Sequence, residues 1–304
     1  MITTKKIWRP QNVTEAWQIQ KNLDSAEYCF VSGGTWLRTQ WEAKLRSMPS
    51  HLISLEQIEE MRVVKERLSF GKREIVIGSQ VTLATCIQHP LLQKYLPSLV
   101  SACRRIAAPS IRNQATIGGN ISTVAGDTLP VWFVYKAKMR WFNGHEIETE
   151  SIDQWILSLQ AHNFERDPRI LVDVIVEIDE RQEDQFSFFT KVGRRETFTA
   201  SLVTVAGKGR IDEGGKFQHV SLSAGGGKVP VRLLEAELEL EGKEGCPSLF
   251  QAIYKQVMKQ YNATSDPFAS ETYKKRMVAN LIVSELIKQV EKWEAGGGMN
   301  VARS

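Results

Sequence analysis

The 304-residue chain reads as a mixed protein of two α/β lobes within roughly the first 175 residues, followed by an α+β unit. Three observations predict this. Two small glycine turns, Val31-Ser32-Gly33-Gly34-Thr35 and Thr116-Ile117-Gly118-Gly119-Asn120, lie about eighty residues apart, each after an apolar stretch with strand character. Strand and helix patterns alternate from the N-terminus to Ile178. A polar run, Asp179 to Gln185, then marks a boundary, beyond which β-rich segments precede two long helical stretches.

Ile7-Trp8-Arg9-Pro10 is extended into a proline, and Asn12 or Thr14 caps a helix over Glu15 to Asn22. Ala26 to Ser32 is a buried strand feeding the first glycine turn, and Trp36 to Lys44 is loop-like or a short helix. Leu52 to Leu55 is a strand, and Leu68 to Phe70 with Glu74 to Gly78 resembles a strand pair. Helical spacing covers Leu83 to Gln88 and Leu91 to Arg105, punctuated by Pro90 and Pro97. After the second turn come the apolar segment Leu129 to Ala137 and a strand pair, Met139 to Phe142 and Ile147 to Thr149, turning at Asn143-Gly144. Asp153 is placed to cap a helix from Gln154, and Ile170 to Ile178 is strongly β-forming. Phe186 to Val192, Leu202 to Gly207 and Val220 to Ser223 form a meander; helices over Ser248 to Tyr261 and Glu271 to Glu294 close the chain. Trp17 and Trp155, and the stripe Met277, Leu281, Ile282 and Leu286, suit helix core faces.

Composition narrows the function classes. A net charge of +4 is spread over the chain, and Lys/Arg groupings no larger than Lys274-Lys275-Arg276 give nucleic-acid binding little support. Four dispersed cysteines, Cys29, Cys86, Cys103 and Cys246, form no CxxC, which excludes a conventional Cys-ligated iron–sulfur motif and disfavours a zinc ribbon. The five histidines lack metal-ligand spacing. No signal peptide or membrane span is read, so a cytoplasmic protein is expected. Gly225-Gly226-Gly227-Lys228 only mimics a P-loop, since Leu222 and Val229 stand where a glycine and a Ser or Thr are required.

Adjacent glycines let backbone N–H groups converge without Cβ obstruction, and such nests bind phosphate oxygens. Two of them suggest a long diphosphate ligand, with Asp127 placed to accept hydrogen bonds from sugar hydroxyls. The residues alone equally allow two tight turns and an Asp127 that merely caps a helix before Leu129-Pro130.

Ile111-Arg112-Asn113 followed by Ala115-Thr116-Ile117-Gly118-Gly119-Asn120-Ile121 resembles the second FAD motif of the molybdenum hydroxylase flavoprotein family, whose members include FAD subunits of xanthine dehydrogenases and medium subunits of carbon monoxide dehydrogenases. Ser32-Gly33-Gly34-Thr35 resembles the family's first motif, and Ile77-Gly78-Ser79-Gln80-Val81-Thr82-Leu83 the segment between the two. Lys191 to Arg195 with Ala200 to Ala206, and Ser223 to Arg232, are similar to its C-terminal signatures. The resemblance implies an α+β fold: a two-lobed PCMH/VAO-type FAD-binding domain over 1–178, with subdomains of about 1–55 and 56–178, and a carbon monoxide dehydrogenase flavoprotein-type domain over 185–292. Residues 293–304 are expected to be a flexible tail.

By the same resemblance, Val31, Ser32, Gly33, Gly34, Thr35, Trp36 and Leu37 wrap the FAD pyrophosphate from one lobe, and Thr116, Ile117, Gly118, Gly119 and Asn120 from the other. Asp127 contacts ribityl or ribose hydroxyls, Ile106 and Leu171 pack near the flavin, and Lys191 lies at the isoalloxazine edge. The sequence departs from the family pattern at Trp36, where relatives carry a small or polar residue. It departs also in a shortened Asn120-to-Asp127 interval and at Thr199-Ala200.

No residue suggests catalytic acid–base chemistry, a metal site or a molybdopterin site. The expected role is therefore electron transfer. Electrons from a molybdopterin-binding large subunit pass through a 2Fe-2S small subunit to FAD and on to NAD or another acceptor, with xanthine the preferred substrate of the assembly. A stand-alone FAD oxidase or dehydrogenase and a scaffold that has lost FAD are the rival expectations.

Overall fold

A computed structural model describes residues 5–162, 167–178, 185–193, 201–227 and 229–296. In chain order the first elements are β1 (Lys6–Trp8), α1 (Val13–Lys21), β2 (Tyr28–Val31), α2 (Thr35–Glu42), β3 (His51–Ser54), β4 (Val64–Ser69) and β5 (Lys72–Gly78). Short helices follow: α3 (Leu83–Gln88), α4 (Pro90–Tyr95), α5 (Pro97–Arg105), α6 (Pro109–Arg112), α7 (Ile117–Ser122) and α8 (Leu129–Val134). Then come β6 (Lys138–Phe142), β7 (Ile147–Ser151), α9 (Ile152–Ala161) and β8 (Ile170–Glu177). The chain closes with β9 (Gln185–Gly193), β10 (Ser201–Ile211), β11 (Phe217–Gly225), β12 (Val231–Arg232), α10 (Leu234–Leu240), α11 (Pro247–Gln260) and α12 (Glu271–Ala295).

The chain divides into two compact units that do not follow sequence order. The first takes residues up to 93, 108–123 and 137–178; the second takes 94–107, 124–136 and the chain from 179 onward. Helices α5 and α8, both ahead of residue 178, thus pack with the C-terminal strands.

In the first unit β1, β3 and β2 form a parallel three-stranded sheet in that order. Parallel strands need crossover connections, and α1 supplies the one from β1 to β2 and α2 the one from β2 to β3. Asn12 accepts from the Glu15 N–H at 2.8 Å and sets where that helix begins. A second sheet, β4-β5-β8-β6-β7, is antiparallel throughout. Its central strand β8 is buried from Ile170 to Val176, as its run of mostly β-branched apolar residues requires. Asp173 interrupts that run and is held by Arg140 on the neighbouring strand, Nε to Oδ1 at 2.7 Å with a second bond from Nη2 to Oδ2. Ala16, Ile53, Ile58, Met61, Ile170 and Val172 join the two sheets into one core, with Trp17 half-buried against it.

Helix α9 starts two residues earlier than the sequence suggests. Ser151, rather than Asp153, is its cap, in a reciprocal capping box with Gln154. Asp153 contributes only its charge to the first turn.

In the second unit β9, β10, β11 and β12 form the expected antiparallel meander. Helix α12 packs on β10, α5 on β9, and α8 on β10 and β11. The predicted closing helices are α11 and α12, whose Ile253, Val257, Ile282 and Leu286 are buried in the core with Phe217 and Leu222. Helix α10 escapes sequence reading because Leu234, Ala236, Leu238 and Leu240 alternate with glutamates, a strand period. Burial of Glu237 explains the helix: its carboxylate accepts from the Leu222 N–H at 2.8 Å and from Arg232 at 2.8 and 2.9 Å. The polar run at 179–184, Arg194-Arg195, Thr199-Ala200, Lys228 and residues 297–304 lie outside the described residues, while the start of the tail expected over 293–304 is corrected, since α12 runs to Ala295.

Ahead of α12, Lys274 is buried and its ammonium meets Asp266 at 2.6 Å. That hydrogen bond holds the Asp266 carboxyl at about 2 rather than 3.8. A depressed carboxyl contributes stability above its unfolded pKa, lost as pH falls through the folded value. Asp266→Asn is expected to flatten the acid-induced loss of stability between about pH 4 and pH 2. Circular dichroism during acid titration checks this, and a slope matching the wild type would count against the pair.

Candidate functional site

The first glycine motif leaves β2 and enters α2. Gly34 sits at φ +65° as the N-cap of α2, with no side chain capping the helix and no acidic residue in its first turn. The backbone N–H groups of Gly33, Gly34, Thr35, Trp36 and Leu37 have no acceptor among the described residues. Five open donors at the positive end of a helix dipole form a cradle for an anion.

The second motif behaves differently. Thr116 caps the six-residue helix α7, its Oγ1 accepting from the Gly119 N–H at 3.1 Å. The Ile117 N–H donates to Val81 O at 2.9 Å, Gly118 N–H to Ser79 O at 2.7 Å, and Asn120 N–H to Thr116 O at 2.9 Å. The expectation of two equivalent nests is therefore corrected, because the second motif satisfies its donors internally. Nor does a strand precede it; α6 does. Its glycine serves close packing instead: a Cβ on buried Gly118 would stand 2.7 Å from Ser79 Cβ and 2.8 Å from Ser79 O.

The two motifs abut. A Cβ on Gly33 would fall 1.7 Å from the carbonyl oxygen of Gln114, so only a glycine lets this backbone lie against the residues leading into Thr116. Gln80 bridges from the segment between them, its Nε2 donating to Ser32 Oγ at 2.8 Å. Beside it, Ser79 Oγ is buried with no hydrogen-bond partner. Neither Gln80 nor Gln114 is marked as part of a site by sequence; only the fold brings them to Ser32 and Gly33. Val31 is the last residue of β2, and Trp36 is exposed on the first turn of α2.

Three further predicted residues gather in the second unit. Lys191 on β9 meets Asp127, ahead of α8, at 2.7 Å, in a pair whose side chains are 11% and 14% exposed. Its ammonium also donates to Arg105 O at 3.4 Å, next to Ile106 at the end of α5. The second carboxylate oxygen of Asp127 accepts from Ser201 Oγ at 2.5 Å. Both oxygens of Asp127 are thus engaged by the protein, and Thr128 rather than Asp127 is the cap of α8. Ser201 lies 74 residues from Asp127, beyond the reach of local pattern. Leu171 belongs to the first unit, buried on β8 opposite Trp141.

These contacts give unequal tolerance to added methyl groups. Gly33→Ala is expected to cost about 3 kcal/mol, because the clash is with backbone that has no rotamer to escape through. Gly119→Ala meets only Thr116 Oγ1 at 3.1 Å and is expected to stay within about 1 kcal/mol of wild type. Urea denaturation of the two variants measures the difference, and equal costs would contradict the packing described.

Residues 3–176 match the family described as the FAD binding domain in molybdopterin dehydrogenase. Residues 187–288 match the CO dehydrogenase flavoprotein C-terminal domain. The chain is 24% identical over 247 residues to the nicotinate dehydrogenase FAD-subunit of Eubacterium barkeri, covering 78% of this chain and 79% of that protein. It is 24% identical over 243 residues to the xanthine dehydrogenase FAD-binding subunit of Escherichia coli O157:H7, covering 78% and 81%. A solved structure of the carbon monoxide dehydrogenase of Hydrogenophaga pseudoflava superimposes with a TM-score of 0.83 at 22% identity, covering 92% of this chain and 95% of the other. The open amides of α2 suit a dinucleotide diphosphate, the family match spans more than half of the chain, and FAD is the cofactor it names: the protein belongs to the FAD-binding flavoprotein family of the molybdopterin dehydrogenases, as an oxidoreductase subunit.

Proposed function

We propose that this chain is the electron-transfer subunit of a molybdenum hydroxylase acting on a purine, with xanthine preferred. Its partners in this reading are a molybdopterin-binding large subunit and a 2Fe-2S small subunit, and NAD or another acceptor takes the electrons. The observation that carries the reading is the open amide cradle of residues 33–37 in a chain matching both flavoprotein domains of the family. Two of the named relatives, the nicotinate and xanthine dehydrogenase subunits, favour a nitrogen heterocycle as substrate, whereas the carbon monoxide dehydrogenase does not.

Bound FAD supplies the chemistry that joins one-electron carriers to a two-electron acceptor. The chain's own residues bind and orient it. The amides of Gly33 to Leu37 take the diphosphate, and Gly33 against Gln114, with Gly118 against Ser79, fixes the spacing between the motifs. Ile117, Gly118, Gly119 and Asn120 then act as a shaped wall, and Gly119, exposed on the first turn of α7, is where that wall is open. In the second unit Asp127 and Ser201 hold the Lys191 ammonium in place, a fixed positive charge of the kind that raises a flavin's potential. Ile106 and Leu171 serve as apolar packing for the ring system.

Anaerobic mixing of the protein, co-purified with its partner subunits, with xanthine, nicotinate or carbon monoxide tests the assignment. Bleaching of the flavin absorbance by xanthine first is the expected outcome. Bleaching by another substrate alone would replace the purine assignment. Reduction of the isolated yellow subunit by a small substrate would overturn the subunit reading. Gly34→Val, which loses the left-handed turn, is expected to purify colourless.

A further inference from the structure

Trp36 stands in the first turn of α2 among the open amides and is 39% exposed. The guanidinium of Arg46 lies over its indole ring, 5.1 Å from the centroid. The chain reaches this arrangement by folding back after α2: the N–H groups of Leu45 and Arg46 both donate to Gln40 O, at 3.0 and 3.4 Å. That return is anchored near the C-terminal end of α2, and from there the exposed Arg46 side chain reaches back over the ring of a first-turn residue.

The guanidinium adds positive charge beside the first turn of the helix. A helix N-terminus carries about half a positive elementary charge, and a second cation beside it is repelled. No carboxylate relieves it. The first turn of α2 has no acidic residue, Arg46 makes no ion pair among the described residues, and the arginine within the helix, Arg38, is already paired with Glu42 at 2.7 Å. Five unused N–H donors and the helix dipole share this first turn with the residue whose ring carries the guanidinium, and an anion bound there would complement all three.

We infer that Arg46 is a cofactor-binding residue that neutralises the FAD diphosphate at the α2 cradle, and that Trp36 is the positioning residue that holds it there. The inference rests on the assignment of residues 33–37 to the diphosphate. It also accounts for a large aromatic side chain in the first turn of the cradle: the indole face gives the guanidinium a cation–π seat while leaving its N–H groups free to donate. Arginine suits this better than lysine, because its planar head stacks and donates at once.

Titration of the full-length apoprotein with FAD, riboflavin and ADP, followed by flavin and tryptophan fluorescence and by calorimetry, separates the possibilities. Arg46→Ala is expected to weaken FAD and ADP about tenfold, as loss of one charge-assisted contact does, and to leave riboflavin, which has no phosphate, unchanged. The dependence of FAD affinity on ionic strength should become shallower. Trp36→Phe keeps a seat for the guanidinium and should bind close to wild type, whereas Trp36→Ala should resemble Arg46→Ala. The double variant should be no weaker than either single one. If Arg46→Ala binds FAD with wild-type affinity and salt dependence while Gly34→Val loses it, the Arg46 assignment fails alone. If Gly34→Val also retains FAD, the cradle itself is wrongly assigned. Equal weakening of riboflavin and FAD would mean a structural effect and overturn the proposal.

Discussion

Gly33 faces the carbonyl of Gln114 at a distance that leaves no room for a single carbon atom, and the first unit is organised around that contact. It brings the end of a parallel sheet, at β2, against the approach to α7. Gly118 repeats the device one step on, against Ser79 at the end of β5. Strand, turn and helix are thereby locked backbone to backbone, the closest approach polypeptides make, and interiors packed at this density do not tolerate an added methylene. Spacing between the motifs follows from main-chain geometry rather than from side chains that can change rotamer.

Two kinds of glycine motif emerge from this arrangement. In the first, a left-handed glycine turns the chain so that five amides are left open. In the second, the amides are consumed by Val81, Ser79 and Thr116, and the glycines act through the side chain they lack. Similar dipeptides therefore do different work, one in binding and the other in packing. The distinction lies in which acceptors the N–H groups meet, and for the second motif the segment just after β5 supplies two of them.

Charge is placed with the same economy. Asp173 on a buried strand has Arg140, and Asp127 has both Lys191 and Ser201. Breaking such a pair from one side leaves an uncompensated charge and costs more than the pair contributes in place. Arg46 breaks the pattern, a cation seated over the Trp36 ring with no ion pair among the described residues. A binding site is where a protein keeps such an imbalance.

Strands and helices with clear periodicity were legible in the sequence: β8 from its β-branched run, α12 from its apolar stripe, the meander β9-β10-β11 from its glycine spacing. The glycine motifs and their order were legible too, and with them the family and its cofactor. Local pattern misplaced the start of α9, where a capping box outweighs a lone aspartate, and missed α10, whose alternating residues are helical only because Glu237 has buried partners. Contacts made at long sequence separation lay beyond it altogether. Gln80 reaching Ser32, Gln114 facing Gly33 and Ser201 holding Asp127 join residues 48, 81 and 74 positions apart. The sequence by itself determined which backbone positions had no side chain and which charges were available. Only the tertiary structure decided which amides stayed open and which charges met, because a hydrogen bond or an ion pair is settled by what the fold brings within about 3 Å.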